Sequence, residues 1–280
     1  MYGRFSIVEQ LPFSVTKHYE FKMKKIFLLL SVFIILALSL FVGRKLYTKF
    51  YNHARNAQIE ISNLYEAMCV RQTPSVDTLS HHVLCLGNSI TCMGPNDAVG
   101  WKGHWGMAAS KKENDYVHLL EARLKSYNPH SSVSFKNIVE WELNPLHKVD
   151  SLLAGVMDEK DIIIFRFGDN VDDEEAFSLG LQRMIDYCRQ YTSNIIITGC
   201  FWKRIHTESV LISAARTNHL KYVPLFWIGE TYGDSTYCTG DEVFYDVDGN
   251  PYKGEHPAFK LHPNDKGMQM IAETIFDSIF

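Results

Sequence analysis

Cysteine is scarce in this chain, with six in 280 residues and none in a Cys-x-x-Cys pair. That excludes a disulfide scaffold and leaves no zinc-binding spacing. Internal repeats and low-complexity tracts are also missing. Charged residues make up 21% against 46% hydrophobic, which is too apolar for intrinsic disorder. Basic clusters are absent from the main body. Residues 1–60 carry nine Lys/Arg against three Asp/Glu, whereas the other 220 residues carry nineteen against twenty-nine. An acidic body cannot neutralise a phosphate backbone, so nucleic-acid binding drops out.

The basic excess surrounds one long uncharged run, Ile26 to Val42, seventeen residues reading IFLLLSVFIILALSLFV. At ~1.5 Å per residue the run spans ~26 Å, close to a bilayer core of ~30 Å once flanking lysines snorkel. Lys22, Lys24 and Lys25 precede it, and Arg44, Lys45 and Lys49 follow. The expectation is a single membrane-spanning helix over residues 26–43, after a basic segment at 1–25. Met23-Lys24-Lys25 has the form of a bacterial signal start, which would make 1–22 an upstream extension. No small-x-small cleavage site follows closely and no cysteine is placed for lipidation. An uncleaved anchor with an extracytoplasmic body is therefore expected, and a secreted body if the segment is cut. Both flanks are basic, so the positive-inside rule does not decide the orientation.

Residues 44–80 read as a stalk and entry segment, in which polar helix-compatible sequence (Asn52 to Met68) runs into a break at Thr73-Pro74. From 81 to 280 the pattern changes to short apolar runs separated by amphipathic stretches. The runs are Val83–Leu86, Val133–Val139, Ile162–Phe167, Ile195–Thr198 and Tyr222–Phe226. Helical periodicity covers Tyr116–Tyr127, Glu174–Tyr191 and Glu208–Leu220, and a last helix starts near Asn264 with Met268, Ile271, Ile275 and Ile279 on one face. Strands alternating with helices predict one α/β domain with a parallel sheet covered on both sides.

Ligands of open parallel sheets bind beyond the carboxyl ends of the strands. Gly87-Asn88-Ser89-Ile90-Thr91 follows the first run, Gly168-Asp169-Asn170 follows the third, and His262-Pro263-Asn264 stands ahead of the last helix. A serine, an asparagine and a histidine at such positions suit acyl transfer: the serine attacks, the histidine takes its proton, and backbone N–H groups with the asparagine amide hold the oxyanion.

The first block resembles the Gly-Asp-Ser-(Ile/Leu)-Thr block of the SGNH/GDSL hydrolases, with Asn88 for Asp. Gly168-Asp169-Asn170 resembles their Gly-x-Asn block, and His262-Pro263-Asn264 with Gly267 resembles their final His-Pro block. The blocks stand in the family's order over about residues 82–280. The resemblance implies a flavodoxin-like three-layer α/β/α fold and ester hydrolysis without a cofactor, often of acyl groups on carbohydrate or lipid. It gives Ser89 as nucleophile, His262 as general base and then acid, and Asn170 as oxyanion donor.

Two departures stand out. The family's aspartate three residues before the histidine is Phe259 here. Either a backbone carbonyl orients the imidazole or a more distant acid does, with Glu255 the first candidate. The oxyanion-hole glycine expected after the second strand is missing from Asn137–Glu142, which leaves a backbone N–H among Val139–Trp141 to serve. The expected substrate is a small-molecule or glycan ester of the cell envelope, acetyl esters first. An acyltransferase on the same site is the alternative, and so is an inactive glycan-binding protein, the latter motivated by Phe259.

Other features have plainer readings. Asp246-Val247-Asp248-Gly249-Asn250 mimics a calcium loop but lacks the closing ligands, so a hairpin turn between Tyr245 and Tyr252 is expected. His256 and His262 lack a third metal partner. His104, between Trp101 and Trp105, either faces a sugar or packs the loop. Gly100, Gly103 and Gly106 lie in that same Trp-rich loop.

Overall fold

The computed structural model describes residues 79–280 together with Lys45. The expected membrane run at 26–43, the segment before it and most of the stalk lie outside the described residues. Among the described residues no helix is long and apolar enough to cross a membrane.

Five parallel strands form the sheet: β1 (His82–Gly87), β2 (Ser132–Asn137), β3 (Ile162–Arg166), β4 (Ile195–Thr198) and β5 (Lys221–Val223), in the order β2-β1-β3-β4-β5. Sequence dictates who sits in the middle. β1, β3 and β4 are almost wholly buried, and their near-continuous Ile, Val, Leu and Phe suit strands covered on both faces. β2 and β5 contain Ser132, Lys136 and Lys221 and take the two edges, where polar side chains blunt further pairing.

Alternate residues of the central strands point into two separate cores. Val83, Cys85, Ile162, Ile164 and Ile196 pack with α1 (Tyr116–Tyr127) and α8 (Asp265–Ile279) on one face. Leu84, Leu86, Ile163, Phe165 and Ile197 pack on the other face, chiefly with α4 (Glu174–Cys188) and α5 (Ile205–Thr217). The result is the expected three-layer arrangement.

Side-chain caps start three of these helices. Asp115 accepts from the His118 N–H, Asp173 from Ala176, and Asn264 from Gly267. Glu174 and Glu175 occupy the first turn of α4, where the macrodipole favours acids.

Several shorter elements carry the chain between these: α2 (Val139–Leu143), α3 (Val149–Leu153), α6 (Trp227–Tyr232), the hairpin β6 (Val243–Tyr245) and β7 (Pro251–Lys253), and α7 (Ala258–Leu261). The second apolar run therefore stops at Asn137, and Val139 opens a helix instead of continuing the strand. The hairpin stands where the calcium mimic was, with Asp246 Oδ1 accepting from the backbone N–H groups of Asp248 and Asn250 at 2.9 and 2.8 Å. Among the described residues no group of three or more His, Cys, Asp or Glu could hold a metal ion.

Leu84 is fully buried in the central strand between layers. Leu84→Ala is expected to cost about 2–5 kcal/mol of unfolding free energy, measured by urea denaturation of the full chain, with the denaturant slope unchanged.

Candidate active site

Strand order reverses between β1 and β3, so the loops leaving these two strands diverge and open a crevice at the carboxyl edge. The first expected block leaves β1 and the second leaves β3, so the topology brings them side by side.

The β1 loop is a tight turn. The N–H groups of Thr91 and Cys92 both donate to the Asn88 carbonyl, at 2.9 and 3.0 Å, and Ile90 N–H donates to Asn88 Oδ1 at 3.2 Å. Among the described residues the Ser89 N–H has no acceptor. Gly87 is required by close approach, because a Cβ there would run into Thr91 Oγ1 and the Arg166 carbonyl. Gly168, at φ +117°, is required by conformation.

His262 reaches the crevice from the opposite end of the chain. It ends the single turn of α7, and Asn264 two residues later caps α8. The segment is clamped to Thr236–Cys238: Cys238 N–H donates to the His262 carbonyl and Asn264 N–H to the Thr236 carbonyl, both at 3.0 Å. Ser89 Oγ lies 2.8 Å from His262 Nε2, across 173 positions of sequence. The ring's other nitrogen, Nδ1, lies 2.7 Å from the Ala258 carbonyl oxygen.

A carbonyl can only accept, so this contact places the proton on Nδ1 and leaves the Nε2 lone pair facing Ser89. Burial pushes the His262 pKa below its ordinary value, against the pull of the Ala258 carbonyl and the Asp169 charge, with Arg166 adding to the depression. The ring is held neutral and pointed at the serine hydroxyl.

Glu255 does not take part in this arrangement. It is exposed, and among the described residues it makes no hydrogen bond to His262. The reason lies in Phe259. That side chain is fully buried against Phe244, at 4.9 Å between ring centroids, and against Trp101 at 5.9 Å. The ring turns inward to the core, and α7 winds so that its first carbonyl, not a side chain, meets the imidazole.

Trp101 and Trp105 belong to the same packing at 1% and 4% exposure, so they are core residues and His104 beside them is exposed. Gly103 packs under both indoles. The nearest aromatic partner of His262 is Trp202, partly buried, whose ring stands edge-on to the imidazole at 5.5 Å and whose Nε1 donates to the Leu261 carbonyl at 2.6 Å.

Asn170 is half-buried in the β3 loop, and its Nδ2 donates to Glu142 Oε2 at 2.9 Å. Val139 N–H donates to Asn137 Oδ1 and Trp141 N–H to the Ile138 carbonyl, both at 2.9 Å. Two backbone groups proposed from the sequence as oxyanion donors are thus engaged locally.

Below the crevice lies a polar network that the sequence blocks mark only in part. Asn88 Nδ2 donates to Asp169 Oδ2 at 2.9 Å and to Glu142 Oε1 at 3.3 Å. Arg166 pairs with Asp169 at 2.5 Å, both side chains being fully buried. Burial opposes ionisation of Asp169, but the Arg166 charge and the donors around it hold its pKa below the ordinary carboxylate value. One signal was available: Arg166 interrupts the apolar run Ile162–Phe167, and an acid follows three residues later.

The flanking cysteines are inert. Burial pushes Cys85 up to about 12 and Cys92 up to about 11.

No family model and no curated protein matches the chain. Solved structures do. A two-domain esterase (CEX) active on acetylated mannans, co-crystallised with mannopentaose, aligns at 18% identity with a TM-score of 0.49, over 71% of this chain and 49% of that one. Axe2, an acetylxylan esterase from Geobacillus stearothermophilus, aligns at 13% identity with a TM-score of 0.49, over 72% of this chain and 96% of that one. The chain spans about half the length of the two-domain esterase.

Phe259→Asp puts a carboxylate into the cluster of Trp101 and Phe244. It is expected to lose about 3 kcal/mol or more of stability in urea unfolding without raising any esterase rate, since burial without a partner costs more than reorientation returns.

Proposed function

We propose that the protein is a serine esterase acting through an acyl-Ser89 intermediate, with His262 as general base and then acid. The observation that carries this reading is the Ser89 Oγ–His262 Nε2 contact at 2.8 Å with Nδ1 held by a carbonyl. In the proposed sequence Nε2 takes the hydroxyl proton while Oγ attacks the ester carbonyl carbon. The carbonyl electrons move to oxygen, where the Ser89 N–H and Asn170 Nδ2 donate to the developing charge. Collapse expels the alcohol, which takes the proton from His262, and water then repeats the cycle on the acyl-enzyme.

An acyltransferase differs only in the acceptor that replaces water, so acceptor dependence separates the two. The inactive glycan-binding alternative rested on the missing carboxylate, and the Ala258 carbonyl supplies the orienting acceptor that alternative lacked. Carbohydrate acetyl esters are the proposed substrate class, from the resemblance of the three sequence blocks. Acetylated xylan and mannan, on which the two solved esterases act, are suitable first polymers to screen. We also propose that residues 26–43 anchor the domain to a membrane with the site extracytoplasmic. Support for that comes from the uncharged run and its lysine flanks.

A fluorophosphonate is expected to form one adduct on the wild-type chain by intact mass and none on Ser89→Ala. The variant should lose turnover of an aryl acetate by about 10³-fold or more and melt within about 2 °C of wild type. No adduct on folded wild type overturns the esterase reading.

The base must be neutral to work, so activity falls as pH drops through the His262 titration. Because burial lowers that pKa, the acid limb of kcat/KM is expected to have its midpoint below about 6.5. A midpoint at or above that value contradicts the buried, carbonyl-held ring.

A further inference from the structure

Glu142 is 1% exposed, on the five-residue helix α2, and among the described residues no cation pairs with it. Its two oxygens nevertheless meet three donors from both sides of the crevice. Oε1 accepts from Asn88 Nδ2 on the Ser89 turn at 3.3 Å and from the Gly168 N–H, in a short contact, on the β3 loop. Oε2 accepts from Asn170 Nδ2 at 2.9 Å.

A buried carboxylate without a countercharge is expensive, and amide donors offset that only in part. The cost fits an orienting task better than a stabilising one. An ionised carboxylate accepts only, so the atom that Asn170 turns toward Glu142 has to be nitrogen. Nδ2 carries two hydrogens, and Glu142 takes one, leaving the second for another acceptor. The same carboxylate holds the turn before Ser89 through Asn88, which fixes nucleophile and amide to one rigid group.

We infer that Glu142 is a positioning residue, the acceptor that fixes the Asn170 amide with an N–H directed to the oxyanion and ties that amide to the Ser89 turn. This inference rests on the esterase reading and on the oxyanion role of Asn170. Burial and the nearby Asp169 charge raise the Glu142 pKa above its ordinary value, and the three donors offset this only in part.

Glu142→Gln keeps the shape but turns one oxygen into an NH2. With Gly168 N–H and Asn88 claiming the remaining oxygen, that NH2 faces the Asn170 NH2, and the asparagine amide flips. The test is a double-mutant cycle on the full chain with an aryl acetate, reading kcat and KM separately.

Asn170→Ala alone should lower kcat about 10²- to 10³-fold. Glu142→Gln alone should lower kcat about 10- to 100-fold with KM within about twofold, because only a transition-state contact is lost. In the Asn170→Ala background Glu142→Gln should lower kcat less than about twofold further.

If Asn170→Ala leaves kcat unchanged, the oxyanion role fails and the site reading with it. If Asn170→Ala lowers kcat but Glu142→Gln is silent, or acts as strongly without Asn170 as with it, positioning is overturned and the esterase reading stands. Should Glu142→Gln unfold, Glu142→Asp enters the same cycle; it keeps the charge and shortens its reach, and the same non-additivity is expected. Additive losses for Glu142→Asp would also overturn the inference.

Discussion

The loops at the crevice between β1 and β3 are held by buried polar groups that mostly pair with one another, with Arg166 Nε and Nη2 left without a hydrogen-bond partner among the described residues, and everything at the site hangs on that network. The loops leaving these strands part because the strand order reverses there. Polar groups buried there need partners, because an unmade hydrogen bond away from water costs more than one exposed to it. The chain closes the gap with the pair Arg166–Asp169, which reaches Asn88 on one side and the Phe201 and Trp202 N–H groups on the other. Glu142 adds a second acceptor beside it. Four loops are therefore tied to two carboxylates, and Ser89 follows Asn88, which donates to both.

His262 is held by a different logic. An aspartate would both set the tautomer and stabilise the imidazolium that the proposed mechanism forms. The Ala258 carbonyl does the first through Nδ1 and the second only weakly, being a dipole. Aromatic packing explains the exchange. Phe259, Phe244 and Trp101 form one cluster that anchors the hairpin β6–β7 to the Trp-rich loop, and a carboxylate at 259 would leave that cluster without a keystone. Stability of this aromatic cluster and charge at the histidine compete for one position, and the cluster has taken it.

The elements legible in the sequence were those with a strong repeat. Ile195–Thr198 and Tyr116–Tyr127 have the bounds that periodicity predicted, and Asn264 caps the last helix because Asn followed by helix formers does so locally. Ser89 and His262 were legible as candidates because each stands at a strand end or helix start, and the fold brings them 2.8 Å apart. What stayed hidden was set by tertiary contact. The apolar run Val133–Val139 reads as one strand, yet it stops at Asn137, and Val139–Leu143 winds into a helix with Trp141 turned inward onto Phe167 and Phe177. Glu142 is carried inward with it, and no sequence pattern marks a glutamate that will be buried. The Ala258 carbonyl is invisible for the same reason, since every residue has one.

The two charges beneath the site also limit each other. Asp169 pulls the His262 pKa up and Arg166 pushes it down, so at the imidazole the fields of the pair oppose. A lone Asp169 would favour the protonated ring and a lone Arg166 the neutral one. Paired at 2.5 Å they act on the histidine as a dipole, whose influence decays faster with distance than that of a single charge. Burial and the Ala258 carbonyl are then left as the main local determinants of its protonation. The network ties the loops with two full charges whose effects on the imidazole oppose each other.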